Sequence, residues 1–469
     1  MKPLALDFLK TTASGDWADG ANWSLGIPPN DVISAAISNV TTMVSLYLED
    51  KDVTVKSLSV KNGKATVDLR GNSSMTIGSI YLGSANFNDG DFVITGGVVT
   101  VNGNVAPASG ANTNRNKLEI NSTAMTINGS LSTYTGSDSG FNNYVRVLDG
   151  SVLTITNGLT VSYSGTTTVD ASVVTNKKNL IIGSNAKAGT LVVQNGAYFR
   201  QPWSNKVGVG GKGEGALNVM NGSMFDASGA DFYLGVDGDT PIGDSKITVS
   251  NSTFMVKTFA APKFTNYSKT YTLDIVGSES VFSASGDVTM GPVAQQAGTV
   301  RTSGNTKVNV KGGTVTVGGS LNVGGGANDH AMNYLTISGE TATMNLGTLN
   351  CRTNAVVKFV VPEKGFENAA IISATNRIQL AEGMPPITVD ATECKNCAWV
   401  SLLAAEKGIT NLTEENLASR VVLAEKDGHL TKGDRPYEFK LVTDSSGESP
   451  IVTALKFRVG SMGLAILIR

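Results

Sequence analysis

The stretch Thr314-Val315-Thr316-Val317-Gly318-Gly319-Ser320-Leu321-Asn322-Val323-Gly324 decides the fold. It holds two short runs in which apolar residues alternate with polar or β-branched ones, the two-residue period of a pleated strand. Two glycines separate the runs and a third closes them, at points where the chain must turn and positive φ carries no steric cost. Strands this short cannot make a stable sheet alone, so each needs an equivalent partner above and below.

The same grammar recurs outward along the chain. A motif of apolar, any, apolar, any, any, then Gly or a small or polar substitute starts at Leu58, Phe92, Leu118, Val145, Leu191, Leu217, Ile247, Leu273, Val308 and Leu335. Successive starts lie between 26 residues apart (Phe92 to Leu118) and 46 apart (Val145 to Leu191). A second strand-like element usually follows, as in Val98-Val99-Thr100-Val101, and a third often ends in glycine, as in Phe232-Tyr233-Leu234-Gly235. About three strands per turn of roughly 26 residues give an all-β solenoid, a right-handed parallel β-helix of about ten turns. At a strand spacing of about 4.8 Å its rod measures on the order of 50 Å. Tandem sandwiches would repeat at about 100 residues and do not fit. The interval from Val145 to Leu191 reads either as one turn with a long loop or as two degenerate turns, and Leu180-Ile181-Ile182-Gly183 supports the second.

Composition agrees with a packed chain and excludes several classes. Of 469 residues 41% are apolar and the net charge is −2, which excludes disorder driven by charge. A sequence pI near 5.9 offers no basic face for nucleic acid. No apolar run approaches the roughly 20 residues of a membrane-spanning helix. Asp7 interrupts the apolar start, so no signal peptide is visible. Three cysteines exclude a disulfide-dense scaffold.

Open sheet edges at the ends of a β-helix template aggregation, so caps are expected. Residues 1–50 read as an N-terminal cap and first turn, with Trp17 and Trp23 covering the edge. Residues 51–355 read as the solenoid and 356–469 as a β-rich or α+β C-terminal cap domain. Charge density supports that boundary, since 27 of the 76 charged residues and only 8 of the 53 glycines fall in 356–469. Within it the sequence predicts a helix over Ala398 to Glu406, a capping-like start at Thr413 to Leu417, and strands over Glu438 to Val442 and Thr453 to Val459.

The pattern Asp16-Trp17 … Asn22-Trp23-Ser24-Leu25-Gly26-Ile27-Pro28-Pro29-Asn30-Asp31, followed by the Thr314–Gly324 type of unit, resembles the β-helical passenger regions of bacterial autotransporter-type surface proteins. The resemblance covers residues 14 to 350. It implies an extracellular or cell-surface location and a polysaccharide or protein partner there. It departs at the C-terminus, where residues 356–469 are too few for a translocator barrel and the sequence ends Ala465-Ile466-Leu467-Ile468-Arg469 rather than in an aromatic residue.

Chemistry is sparse. His330 lies in an inter-strand loop and His429 in a turn, so histidine-based catalysis would have to use one of two isolated residues. Tyr198, Phe199, Arg200 and Trp203 concentrate aromatics and could stack on sugar rings if exposed, with Gln201 adding hydrogen bonds; packed inward, they stabilise a loop. Asp237 and Asp239, beside Asp231 and Asp244, offer hard oxygen ligands to calcium but lack the full spacing of a calcium loop. No other cofactor is implied. Cys394 and Cys397 read as a local disulfide or two free thiols. The expected function is a non-enzymatic surface-exposed or secreted β-helical structural or adhesion protein displaying loops. The alternatives are a β-helix polysaccharide lyase or glycoside hydrolase, with the 198–203 and 231–244 segments in one groove, and a trimeric fibre-like spike.

Overall fold

A computed structural model describes residues 5–8, 14–38, 42–83, 90–107, 115–133, 143–184, 187–202, 207–210, 213–235, 243–261, 269–291, 305–324, 331–447 and 450–460. The protein is all-β, with 63% of the chain in strands, and forms a parallel β-solenoid of about 12 turns. It resolves into two compact units, Met1–Asp231 with Pro241–Ser245, and Phe232–Thr240 with Lys246–Arg469.

In the N-terminal unit three ladders of parallel strands run side by side. The first passes through Leu58–Lys61, Ile80–Leu82, Val105–Pro107, Ser130–Ser132, Gly158–Val161, Asn179–Ile182 and Val207–Val209. The second joins Lys117–Asn121, Tyr144–Leu148, Gly165–Asp170, Gly189–Gln194 and Gly215–Met220. The third joins Ala124–Ile127, Val152–Ile155, Val173–Asn176 and Tyr198–Arg200. Alternation sets the core, because every second side chain of a strand points inward. Met125, Leu153, Val174, Phe199 and Phe225 stack in register, each at most 1% exposed. The corner between the second and third ladders is turned by left-handed residues such as Asp149, Asn195 and Asn221.

The larger turn count has three sources. The interval between Val145 and Leu191 holds an additional turn, in which Thr167 occupies the inward position between them and is 2% exposed. A threonine there conceals the apolar motif. Leu58 belongs to the first ladder, paired with Ala35 and Ile80, whereas the residue in register with Phe92 is Ala65. The motif start at Leu58 therefore sits one corner out of phase, and turns precede it. The ladders also continue past residue 355: Ala355–Val360 pairs with Ile387–Asp390, which pairs with Val421–Leu423. The shift in composition near residue 356 does not mark the end of the solenoid.

The ends are closed differently. At the start of the N-terminal unit Trp17 and Trp23 are buried edge to face at 5.0 Å, Phe8 packs on Trp23 at 5.6 Å, and the Trp23 indole N–H donates to the Trp17 carbonyl. In the C-terminal unit Cys397–Ala405 pairs in parallel with Ala370–Ala374 and antiparallel with Ile451–Val459, which forms a hairpin with Tyr437–Asp444. The expected helix over Ala398 to Glu406 is thus a strand. Its Leu and Ala content favours helix, but Leu402 and Leu403 are both buried, as happens when neighbours cover both faces, and that packing overrides local propensity. The expected helix start at Thr413 yields only Leu417–Arg420. Thr413 and Asn416 exchange reciprocal backbone-to-side-chain hydrogen bonds just ahead of it.

Candidate functional site

The solenoid sorts its connections by corner. In the N-terminal unit the links from the second ladder to the third are short, as from Asn121 to Ala124 and from Asp170 to Val173. Three links from the first ladder to the second carry long insertions, Leu82 to Gly90, Pro107 to Lys117 and Ser132 to Tyr144, whereas those from Lys61 to Gly63 and from Val161 to Gly165 are short. The C-terminal unit repeats this at Ala261 to Thr270, Met290 to Asn305 and Val323 to Asn333. Exceptions occur at Arg200 to Val207 and Val360 to Ala370. A solenoid tolerates an insertion wherever it leaves the stacked strands untouched.

The outward side of the third ladder is a second regular feature of the N-terminal unit. Thr54, Thr76, Thr100, Thr126, Thr154 and Thr175 lie in register on successive strands. Beside them Val98, Ala124, Val152 and Val173 form a parallel exposed row. The threonine column is uncharged until Arg200 and Asp226 end it.

The aromatic segment sits where that strip ends. Phe199 is fully buried, its ring stacked on Phe225 at 4.9 Å and 3° between planes, so it offers no face to a sugar. Inward phase in the ladder, which no local pattern reveals, puts it there. Tyr198 faces outward, half-buried, and donates its hydroxyl to Asp226 Oδ2 at 2.9 Å. Burial and that carboxylate raise the phenol pKa. Burial pushes the Asp226 carboxyl up, but hydrogen bonds from Ser228 and Tyr198 and the Arg200 charge hold it below its ordinary range. Arg200 is exposed, whereas Gln201 is buried, accepting from Asn176 and donating to the Lys178 carbonyl. Trp203 lies outside the described residues, as do Asp237, Asp239 and His330.

No family model, curated protein or solved structure matches the chain.

The remaining titratable residues fall into separate local arrangements. His429 is exposed in a turn, with Nδ1 2.8 Å from Asp434 Oδ1, and that carboxylate raises its pKa. Cys394 and Cys397 are both unbonded thiols, 0% and 3% exposed. Among the described residues no cluster of three or more His, Cys, Asp and Glu side chains is placed to hold a metal ion.

One buried charge escaped the sequence reading. Asp274, 5% exposed on the strand Thr270–Val276 of the C-terminal unit, accepts from Asn309 Nδ2 at 2.7 Å and meets Lys246 Nζ at 2.8 Å and Lys311 Nζ at 3.7 Å. The shared outward phase of these residues on registered strands is the signal that could have found it. Burial pushes the carboxyl pKa up, but Lys246, Asn309 and Lys311 outweigh it and hold the pKa below the usual value. Folding lowers this pKa, so the stabilisation is complete above the unfolded value of about 3.9 and is lost as pH falls through the folded value. Thermal unfolding should therefore show wild type losing more stability than Asp274→Asn between about pH 5 and about pH 2. Equal losses would clear Asp274 of that role.

Proposed function

We propose that the protein is a non-enzymatic β-helical structural or adhesion protein of the cell surface or extracellular space, presenting inserted segments from one corner of its solenoid to polysaccharide or protein. The observation that carries this reading is the concentration of long insertions between the first and second ladders while the stacked strands stay in register. Selection for a binding edge on a rigid scaffold gives this pattern, since loops carry recognition and strands carry position. The likeness of Asp16 to Asp31 to autotransporter-type passenger regions supports the same location and role.

The test is binding to immobilised polysaccharides and to bacterial and host cell surfaces. A variant in which residues 134–142 are replaced by a short turn should keep its β-type circular dichroism and lose more than ~10-fold in affinity for the bound surface, on the order of 1.4 kcal/mol. Release of new reducing ends from any polysaccharide by the wild type would instead establish a lyase or hydrolase. Undiminished binding by variants trimmed at each long corner connection would reject display from this corner.

A further inference from the structure

The outer face of the terminal hairpin carries two facing cations. Ile451–Val459 lies between Cys397–Ala405 and Tyr437–Asp444 and runs antiparallel to both. Directly opposed residues of such strands share a face. Phe457, Leu455 and Leu441 are buried on the inner face, so Lys456 and the Lys440 opposite it turn outward together. Ser401 extends their row on the other side of Lys456. Opposed Cβ atoms stand about 4.5–5.5 Å apart, and like charges at that separation repel.

Nearby cations are matched with acids. Arg458 pairs with Glu438 directly opposite and lies over the Trp399 ring at 4.7 Å. Lys358 meets Asp390 at 2.8 Å, and Lys426 and Lys432 share Glu393. Among the described residues neither Lys440 nor Lys456 has an ion-pair partner. A lysine on an edge strand such as Tyr437–Asp444 guards against pairing with another chain, which accounts for Lys440. It does not account for Lys456, half-buried on the middle strand. Beyond Ser401 the row ends at Ala370, and the next row holds Ser373, Ala404, Ala454 and Val442. The floor beside the lysines is therefore low and uncharged across four strands.

We propose that this face binds acidic polysaccharide, with one sulfate or carboxylate group held between the Lys440 and Lys456 ammonium groups and its sugar ring lying over the small-residue floor. Each ammonium brings three donors, and the Ser401 hydroxyl adds another in the same row. Charge complementarity selects an anion, whose binding relieves the repulsion between the lysines. Two cations fall short of the run of phosphates that nucleic-acid binding neutralises. No aromatic or leucine side chain stands on the floor to enter a lipid surface. Polysaccharide is a partner class shared with the proposed function, but this face lies apart from the corner insertions and is tested separately from them.

The experiment measures binding of the full-length chain to immobilised dextran sulfate, to polygalacturonate and, as the neutral control, to dextran. The expected result is saturable binding to an acidic polymer and none to dextran, weakening as salt rises. Lys440→Ala/Lys456→Ala should lose more than ~10-fold in affinity. Lys440→Arg/Lys456→Arg keeps both charges and should retain binding, as should the variant in which residues 134–142 are replaced by a short turn. Soluble dextran sulfate should raise the thermal unfolding midpoint of wild type and leave that of the double-alanine variant unchanged, a readout that also reports whether the variant folds. Undiminished binding by a folded double-alanine variant would overturn the proposal, as would wild type binding neither acidic polymer, or binding single-stranded DNA as tightly. Binding lost on replacing residues 134–142 but kept by both lysine variants would place the polysaccharide at the corner insertions and overturn the proposal as well.

Discussion

Phe199→Ala is expected to destabilise the N-terminal unit by about 3–5 kcal/mol, the range for emptying a buried aromatic site. The ring is 0% exposed and stacks on Phe225, also 0% exposed, so truncation removes both its own burial and a partner face. The strands on either side are fixed by their ladders and cannot close the gap. Tyr198→Phe, one residue away, removes only the hydroxyl bond to Asp226 and should cost about 0.5–1.5 kcal/mol. Hydrogen exchange resolved by peptide is the measurement: amides of Val173–Asn176 and Met224–Phe225 should lose protection in Phe199→Ala and keep it in Tyr198→Phe. Unchanged protection in both variants, with weakened sugar binding in Phe199→Ala, would return the ring to a binding role.

The second large effect concerns two glycines with the same backbone angle. Gly183 and Gly196 both sit at φ +76°, but a Cβ on Gly183 would stand 2.1 Å from the Glu214 carbonyl oxygen, whereas a Cβ on Gly196 meets nothing within 4 Å. The Glu214 oxygen is not free to retreat, because it accepts from Gly189 N–H at 3.0 Å. Gly196→Ala should therefore cost only the left-handed backbone term of roughly 1–2 kcal/mol. Gly183→Ala adds a carbonyl displacement and the loss of that hydrogen bond, and should cost about 3 kcal/mol or more. Chemical denaturation of the two variants separates the contributions. Similar midpoints would mean that the corner at Gly183 relaxes.

These contrasts also explain how far the sequence could be read. Leu118 and Val145 could be placed in equivalent turns because alternation and a closing turn residue recur around each, and they are in register. Thr167 could not, since a buried threonine looks like an exposed one in sequence. The phase of Leu58 was hidden because Gly63–Ile77 runs through a corner as one continuous strand, so the pattern there does not announce which ladder a segment joins. The same ambiguity affected the aromatic segment: strand periodicity separates Tyr198 from Phe199, but only the inward stack from Met125 to Phe225 shows which of them faces in. Asp274 was obscured for a further reason, as its partners Lys246, Asn309 and Lys311 are remote in sequence and meet only across registered strands.

The in-register parallel ladders have a mechanical consequence. In the N-terminal unit the strand-to-strand hydrogen bonds run from turn to turn, so tension drawing the turns apart loads them along their own direction and they yield one turn at a time. Leu118 and Val145 mark one such step, 27 residues by subtraction. Released and extended at about 3.4 Å per residue, a step pays out roughly 90 Å of chain. A surface-tethered molecule built this way would lengthen under flow in a regular staircase of small yields, dissipating load turn by turn before the whole unit gives way.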